Sequence, residues 1–433
     1  MAPLRVFWNR TDELSRLRRA LRRGGFGLIT GRRRVGKTAL LGKLCQEGGG
    51  LYHQAVEGTP QQQILHLAEE FQSHFPILKS VAPKNWTEFF SLLSREKWPR
   101  LVVFDEFPYW VQGDPALPSV LQKWVDHELP KHKTLLLVSG SSQSMLHAQF
   151  LRHESPLFGR ADFHLKLDPL PYEWFCRAFK YDPLDPETFS RYSIVGGVPH
   201  YWRMMPRATL LEQVDELYYR PSAPLSLEPS AWLREEGVTG TVPRALIDLV
   251  GRGVSKPSEI ASRLGLPQGN LSRPLSLLLD VGFISREWPY GETPRSTKKV
   301  LYSIQDPALR FYYNVYLPTR HRWDSMDNNE KRTVIRQHTA RQWEIFCRSR
   351  FPGAGRYWEG SVEIDLVARS SSGRSPLVGE CKWRALSRDE KESLTRDLKR
   401  RFALTRLSAS LSPVDFRIFG MSDIGSLLSQ HDV

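Results

Sequence analysis

The chain lacks long hydrophobic runs, paired cysteines and any excess of acidic charge. No stretch approaches the roughly eighteen uninterrupted apolar residues that a membrane span needs, so no membrane partner is expected. The basic residues near the N-terminus are not followed by an apolar run, so no secretory signal is expected either. Four cysteines occur in 433 residues, Cys45, Cys176, Cys347 and Cys381, and no two form a C-x-x-C pair. Scattered thiols argue against a disulfide or zinc framework and for a reducing, cytoplasmic location. Lys and Arg number 61 against 47 Asp and Glu, a formal net charge of +14. Such a balance points to a polyanionic partner, nucleic acid first; a solvated basic surface is the bland alternative.

What remains is an ordinary globular composition, 40% hydrophobic and 25% charged. The length implies roughly two to four domains, each able to bury its own core.

The most specific stretch is Gly31-Arg32-Arg33-Arg34-Val35-Gly36-Lys37-Thr38, which satisfies G-x-x-x-x-G-K-[ST]. Phe26–Thr30 before it reads as a buried strand, and Ala39–Leu44 after it as a helix. In that setting the backbone from Gly31 through Arg34, Val35, Gly36, Lys37, Thr38 and Ala39 is expected to cradle the phosphates of ATP. Lys37 would reach the β- and γ-phosphates and the Thr38 hydroxyl would hold Mg²⁺. Arg32, Arg33 and Arg34 either touch phosphate or face solvent, and solvent is the expected side.

Upstream, Val6–Arg10 reads as extended. An amphipathic helix follows with Leu14, Leu17 and Leu21 on one side, placed beside the nucleotide base or simply in the core. Downstream, residues 51–56 suit a second strand and Trp86–Ser94 a helix. Leu101-Val102-Val103-Phe104-Asp105-Glu106 is an apolar run ending in two carboxylates, as in a strand buried on both faces of a parallel sheet. This is the Walker B pattern, with Asp105 on Mg²⁺ and Glu106 acting on the attacking water. Thr134–Val138 is a further central strand; Ser139 or Ser142 at its end suits a sensor of the γ-phosphate. Arg160 is open to two roles, transition-state charge stabilisation or structure.

Strand–helix alternation stops after residue 165. Tyr172, Trp174, Phe175 and Phe179 have helical spacing and suit a core. Gly196-Gly197-Val198-Pro199 suits a lid turn, and Pro221–Ser226 reads as a linker. Three helices are then expected: about Val242–Val250, Pro257–Leu264 capped by Ser255, and about Gly269–Val281 with Leu271, Leu275 and Leu278 inward. Strands near Phe283–Trp288 and Lys299–Ile304 follow, around a basic tip. That is a winged helix-turn-helix. Gln268, Asn270 and Arg273 suit a major groove, and Arg295, Lys298 and Lys299 suit phosphates. An internal clamp or protein contact is the competing use.

Beyond residue 335 a helix carrying Glu344 precedes Tyr357-Trp358-Glu359. Strand Val362–Ala368, a turn at 370–375 and strand Leu377–Trp383 follow. Residues two apart in a strand share a face, so Glu380 and Lys382 project together, with Asp365 on the neighbouring strand. Two carboxylates beside a lysine suit a Mg²⁺ ion completed by phosphate oxygens. Glu344 would supply a third carboxylate.

The set Asp365, Glu380 and Lys382 resembles the PD-(D/E)XK nuclease superfamily, some of whose members only bind nucleic acid. Taken in order, the motifs make the chain similar to the archaeal-type P-loop ATPases of the AAA+/STAND group that carry a C-terminal nuclease-like domain. The resemblance implies an α/β fold. A P-loop NTPase parallel sheet domain (1–165) would precede a helical lid (166–238), a winged helix-turn-helix (239–318) and an α/β nuclease-like domain (335–428). It further implies that Pro199 lies near the adenine. The expected function is ATP hydrolysis coupled to action on DNA by a metal-dependent nuclease-like domain. The alternatives are a STAND-type switch that binds partners without cutting, sometimes as a homo-oligomer, and a DNA-binding regulator with slow hydrolysis.

Overall fold

The computed structural model of the chain describes residues 7–369 and 375–429. Val6, and the turn expected at 370–375 apart from Ser375, fall outside that range. Two compact units are present. The first comprises the described residues up to Leu170 together with Val198–His200 and Glu235–Gly237; the second holds the remainder.

The first unit is built on a five-stranded parallel sheet: β1 (Gly25–Gly31), β2 (Leu51–Gln54), β3 (Leu101–Asp105), β4 (Leu135–Ser139) and β5 (Phe163–Leu167), in the order β2-β3-β4-β1-β5. Strand side chains alternate between faces, and both faces are apolar. Leu28, Phe104, Leu136 and Val138 join one core, with Phe71, Trp86, Trp110 and Trp124. Ile29, Val103, Leu135 and Leu137 join another, with Leu14, Leu17, Leu40 and Leu44. Each fully buried aliphatic side chain contributes about 1.5–3 kcal/mol, so continuous Leu/Val runs are well served by a sheet covered on both sides. β5 runs to Leu167, past the boundary expected at 165. The helix Thr11–Arg23 buries Leu14 and Leu17 in the core, while Leu21 packs partly buried at its edge.

The second unit begins with the aromatic helix Tyr172–Phe179, in which Tyr172 and Phe175 are buried. The segment 221–226 is not a free linker. Ser222 turns at φ 61°, Ala223 is buried, and the helix Pro224–Glu235 starts at once. Its Pro and Ser content serves a tight turn and a proline-started helix, positions where proline loses no hydrogen bond.

Helices Thr241–Gly251, Pro257–Leu264 and Ser272–Asp280 and the antiparallel pair β6 (Ser285–Glu287) and β7 (Leu301–Ser303) form the winged helix-turn-helix around Leu246, Ile260, Leu271, Leu275 and Leu278. Ser255 does not cap the second helix: its N-cap position is Lys256, without a side-chain bond. The Ser255 carbonyl instead accepts from Tyr302 N–H at 2.8 Å. Gln268 and Asn270 lie on a 3₁₀ turn leading into the third helix. The first wing strand starts later than expected because Phe283 and Ile284 N–H donate back to the Leu278 carbonyl, at 2.9 and 3.3 Å; beyond its end, Tyr290 N–H donates to the Arg356 carbonyl, 2.7 Å away.

A long helix, Asn328–Ser349, leads to a four-stranded sheet of β8 (Gly355–Glu359), β9 (Val362–Ala368), β10 (Leu377–Cys381) and β11 (Asp415–Phe419), ordered β11-β10-β9-β8. β8–β9 and β9–β10 are antiparallel and β10–β11 parallel, the crossover being the helix Arg388–Ala403. Leu398 and Phe402 of that helix pack on Ile364, Val367 and Val378. The four cysteines are free thiols. No helix among the described residues is long and apolar enough to cross a membrane.

Candidate active site

In an open parallel sheet, ligands gather beyond the carboxyl ends of the strands. There β1 gives way to the Gly31–Thr38 loop and the helix Lys37–Gly48. Gly31 stands at φ 147°, and a Cβ on it would lie 2.6 Å from the Leu167 carbonyl oxygen. Gly36 has open space around it but stands at φ 105° as N-cap, so conformation alone demands glycine there. That N-cap has no side-chain bond and the first turn has no acidic residue, so the helix amides are oriented for an external anion. Arg34 also adopts the left-handed region, at φ 64°. Ala39 is half-buried in the helix's first turn.

Lys37 is buried, and its Nζ donates to the Gly31 and Arg32 carbonyls at 2.8 and 3.2 Å. Burial lowers its pKa, while Glu106, Asp105 and Glu236 pull the other way. The expectation that Arg32–Arg34 face solvent fails for Arg32 alone; Arg33 and Arg34 are partly exposed. Arg32 is buried, and Arg33 is ion-paired with Glu235. Val35 is buried too, its carbonyl accepting from Arg10 Nη2 at 3.0 Å. The same nitrogen donates to the Asp168 carbonyl at 2.8 Å, so Arg10 pins the loop to the segment after β5.

β4 lies between β1 and β3, and this order brings Ser139 beside the acids. Asp105, fully buried, accepts from Thr38 Oγ1 at 2.8 Å, from Tyr52 Oη at 2.8 Å and from the Ser139 hydroxyl. Hydroxyl beside carboxylate at the phosphate cradle is the donor set that Mg²⁺ takes when triphosphate oxygens and waters complete its shell, so these residues fit that ion. Glu106, at φ 55°, has one carboxylate oxygen held by the Ser141 N–H and hydroxyl at 2.8 and 2.9 Å. Of the two sensor candidates, Ser139 binds Asp105. Ser142 instead caps the short helix Gln143–Leu146 and donates to Glu236. Arg160 is committed to Asp126 at 3.0 Å, which supports its structural role. Pro199 starts the short helix Pro199–Trp202 and groups with the first unit.

Besides Arg10, three contributors were missed in the sequence. Tyr52 sat inside an expected strand. Ser141 sat between the two weighed serines. Glu236 lies 92 to 94 residues from the donors it accepts from: Ser142 Oγ, Gln143 N, Ser144 N and Ser144 Oγ. Only a Glu-Glu pair following a helix marked it.

In the second unit, Gly379 of β10 faces Leu366 of β9, which leaves Asp365 and Glu380 as the next residue along each strand. Asp365 Oδ2 accepts from Cys381 N–H at 2.9 Å. Burial, then the charges of Glu380 and Glu344, push the Asp365 carboxyl up to about 7. Glu380 is buried between two cations: Lys382 Nζ at 2.6 Å on one oxygen and Arg401 Nη2 at 2.9 Å on the other. Asp365, Glu380 and Lys382 are therefore brought together. Glu344 does not complete a three-ligand set, because no cluster of three or more His, Cys, Asp or Glu among the described residues is placed to hold a metal. Its side chain lines a neighbouring arginine-rich cleft instead. The two strand carboxylates fit a hard cation only with phosphate oxygens supplying most of its shell.

Comparison with known proteins agrees with this layout. Residues 7–205 match a family described as an ATPase domain predominantly from Archaea. Residues 330–394 match a family of archaeal and bacterial proteins of unknown function. An uncharacterized protein of Methanocaldococcus jannaschii is 27% identical over 419 residues, covering 93% of either chain. The Walker-type ATPase of Pyrococcus abyssi shares the fold at a TM-score of 0.55 and 19% identity, over 71% of this chain and 96% of that one. Over residues 7–205 the chain is thus similar to an archaeal-type P-loop ATPase domain, and over 330–394 to that second family.

Proposed function

We propose that this ATPase acts on DNA, with the winged helix contacting the duplex and the Asp365–Glu380–Lys382 cluster performing metal-dependent phosphodiester hydrolysis. At the nucleotide site, the loop amides from Arg34 to Thr38 and the Lys37 ammonium bind the phosphates of ATP. Thr38 and Asp105 hold Mg²⁺, Ser139 and Tyr52 orient Asp105, and Glu106 takes the proton of the attacking water. Pro199 borders the adenine. Bound Mg²⁺ supplies charge neutralisation at the phosphates.

The DNA half of the reading is carried by one observation, the pairing of Asp365 with Glu380 and its elevated proton affinity. Lys382 and Arg401 compensate Glu380, which leaves the buried Asp365 carboxyl to a proton or a bound cation, and such sites gather at functional centres. A divalent ion at that cluster would polarise a phosphodiester. Lys382 would stabilise the developing charge and Asp365 would accept or hold a proton.

A second reading, a regulatory ATPase switch that binds DNA or protein without cleaving, gains from one specific feature. Both oxygens of Glu380 are already taken by Lys382 and Arg401. Incubation with plasmid and single-stranded DNA in Mg²⁺ or Mn²⁺, with and without ATP, separates the two. Nicking that disappears in Asp365→Ala and Lys382→Ala supports cleavage. Products that persist in Glu380→Ala sink the nuclease assignment. DNA binding without products supports the switch.

A further inference from the structure

A cleft of about 120 Å³ in the second unit is walled by β6, β7, the end of the helix Thr241–Gly251 and the helix Asn328–Ser349. It lies well below the ~300 Å³ of a pocket for a whole cofactor or base. Its lining is strongly cationic, with Arg310, Arg341, Arg348 and Arg356 facing only Glu287 and Glu344. A fifth arginine on the rim, Arg252, is occupied by Asp248 at 3.0 Å.

The cleft arginines are incompletely matched. Arg310 Nε donates to the Ile304 carbonyl at 2.8 Å, and its terminal nitrogens have no hydrogen-bond partner among the described residues. Burial, and then the charge of Arg341, hold its pKa down to about 10. Arg341 is exposed at the mouth of the cleft, where its guanidinium is open to a ligand. Arg356 is paired with Glu363 and lies 3.8 Å from Glu287, yet its buried Nε has no partner among those residues. Arg341, Glu344 and Arg348 follow one another at helical spacing and share a face. Like charges gathered in a half-buried cleft repel one another, and Glu287, Glu344 and the Glu363 paired with Arg356 leave the four arginines in excess; a bound oxyanion would offset that excess, and guanidinium forks suit phosphate geometry.

We infer that this cleft is a phosphodiester-binding subsite, which seats a DNA backbone phosphate next to the Asp365–Glu380–Lys382 cluster. This rests on the proposed action on DNA. Two residues join the places. Arg348 Nη1 donates to the Asp365 carbonyl at 2.8 Å, and the charge of Glu344 acts on the Asp365 carboxyl. The same cleft is walled by the hairpin that carries the exposed Arg295, Lys298 and Lys299. A strand lying along that hairpin would meet the cleft before the carboxylates.

The test is fluorescence anisotropy of the full chain with a short labelled duplex, without divalent cation, across a salt series. Arg341→Ala is expected to weaken binding severalfold and to lower the log–log salt slope by about one. Arg341→Lys should restore the slope but not the full affinity, and Arg388→Ala, at an exposed arginine on another helix, paired there with Glu392, should leave the slope as it was. Arg310→Gln repeats the test from inside the cleft; Arg341, on the surface, keeps it valid if that variant does not fold. If the wild type binds duplex and Arg341→Ala has the wild-type slope, the subsite falls while the DNA reading stands. If the wild type binds no duplex at low salt, the DNA reading falls and takes the subsite with it. Inorganic phosphate that raises the thermal midpoint of the wild type but not of Arg341→Ala, with no effect on duplex, overturns the DNA assignment in favour of a free-anion site.

Discussion

Ser141 grips Glu106 through two bonds to a single carboxylate oxygen, one from its N–H at 2.8 Å and one from its hydroxyl at 2.9 Å. Glu106 is also one of the few non-glycine residues in the left-handed region, a conformation that costs of order 1–3 kcal/mol and persists only where the surroundings enforce it. The proposed base is therefore fixed in both backbone and side chain. Glu106→Gln should retain ATP binding and lose turnover by about 10²–10⁴-fold. Ser141→Ala keeps one of the two bonds, and its kcat should fall by about tenfold with KM little changed. Steady-state ATP hydrolysis reads both, and an unaltered kcat in Ser141→Ala would show that the grip is incidental.

Lys37 is a charge taken out of water and held by two carbonyls. Its pKa is lowered, so below that value the folded chain must carry a buried ammonium that the unfolded chain carries in water. The cost is present at neutral pH and fades as pH rises toward the ordinary lysine value. Lys37→Met should therefore abolish nucleotide binding without lowering the thermal midpoint of the nucleotide-free protein. A clear loss of midpoint would mean that the carbonyl contacts outweigh desolvation.

His338 lies in the core of the second unit, where Nε2–H donates to the Ser193 carbonyl at 2.7 Å and the ring meets Phe311 edge-on. Burial drops its pKa to about 3, with Arg310 adding to the effect. The folded state then binds fewer protons than the unfolded state below the ordinary histidine value of about 6.5. Stability should fall on acidification through that value, by about 1.4 kcal/mol per pH unit, until the folded value is reached. Thermal midpoints measured from neutral pH to about pH 5 should slope more steeply in the wild type than in His338→Gln. Parallel slopes would refute the assignment.

Glu236 accepts four hydrogen bonds from Ser142, Gln143 and Ser144. Glu236→Ala leaves two helix amides without an acceptor and should cost about 2–3 kcal/mol. Amide exchange should accelerate at the start of the Gln143–Leu146 helix. Exchange there at the wild-type rate would count against the carboxylate as its anchor.

The nucleotide site was largely legible because its chemistry dictates residue type at fixed spacing. Gly31, Gly36, Lys37 and Thr38 cannot be exchanged freely, and a strand buried on both faces shows as the continuous run ahead of Asp105. The Asp365 and Glu380 pairing was legible for a related reason, since hairpin strands put known offsets side by side. What escaped depends on long-range placement. Arg10 and Glu236 reach the site from distant turns, and no period in the chain announces them. Arg32 looked like surface because three consecutive arginines usually are; here the loop turns one inward. The cleft arginines come from positions 310, 341, 348 and 356, and only tertiary folding collects them. The supposed linker at 221–226 shows the converse error, since Pro and Ser serve helix starts as readily as loops.

Returning segments also set an order on assembly. The parallel sheet is complete in sequence by Leu167, yet Val198–His200 and Glu235–Gly237 belong to the same compact unit. As the chain leaves the ribosome, the amides of Gln143 and Ser144 must wait more than ninety residues for Glu236. Arg33 of the phosphate loop waits still longer for Glu235. The nucleotide-binding half therefore cannot be finished before synthesis has reached the threshold of the winged helix.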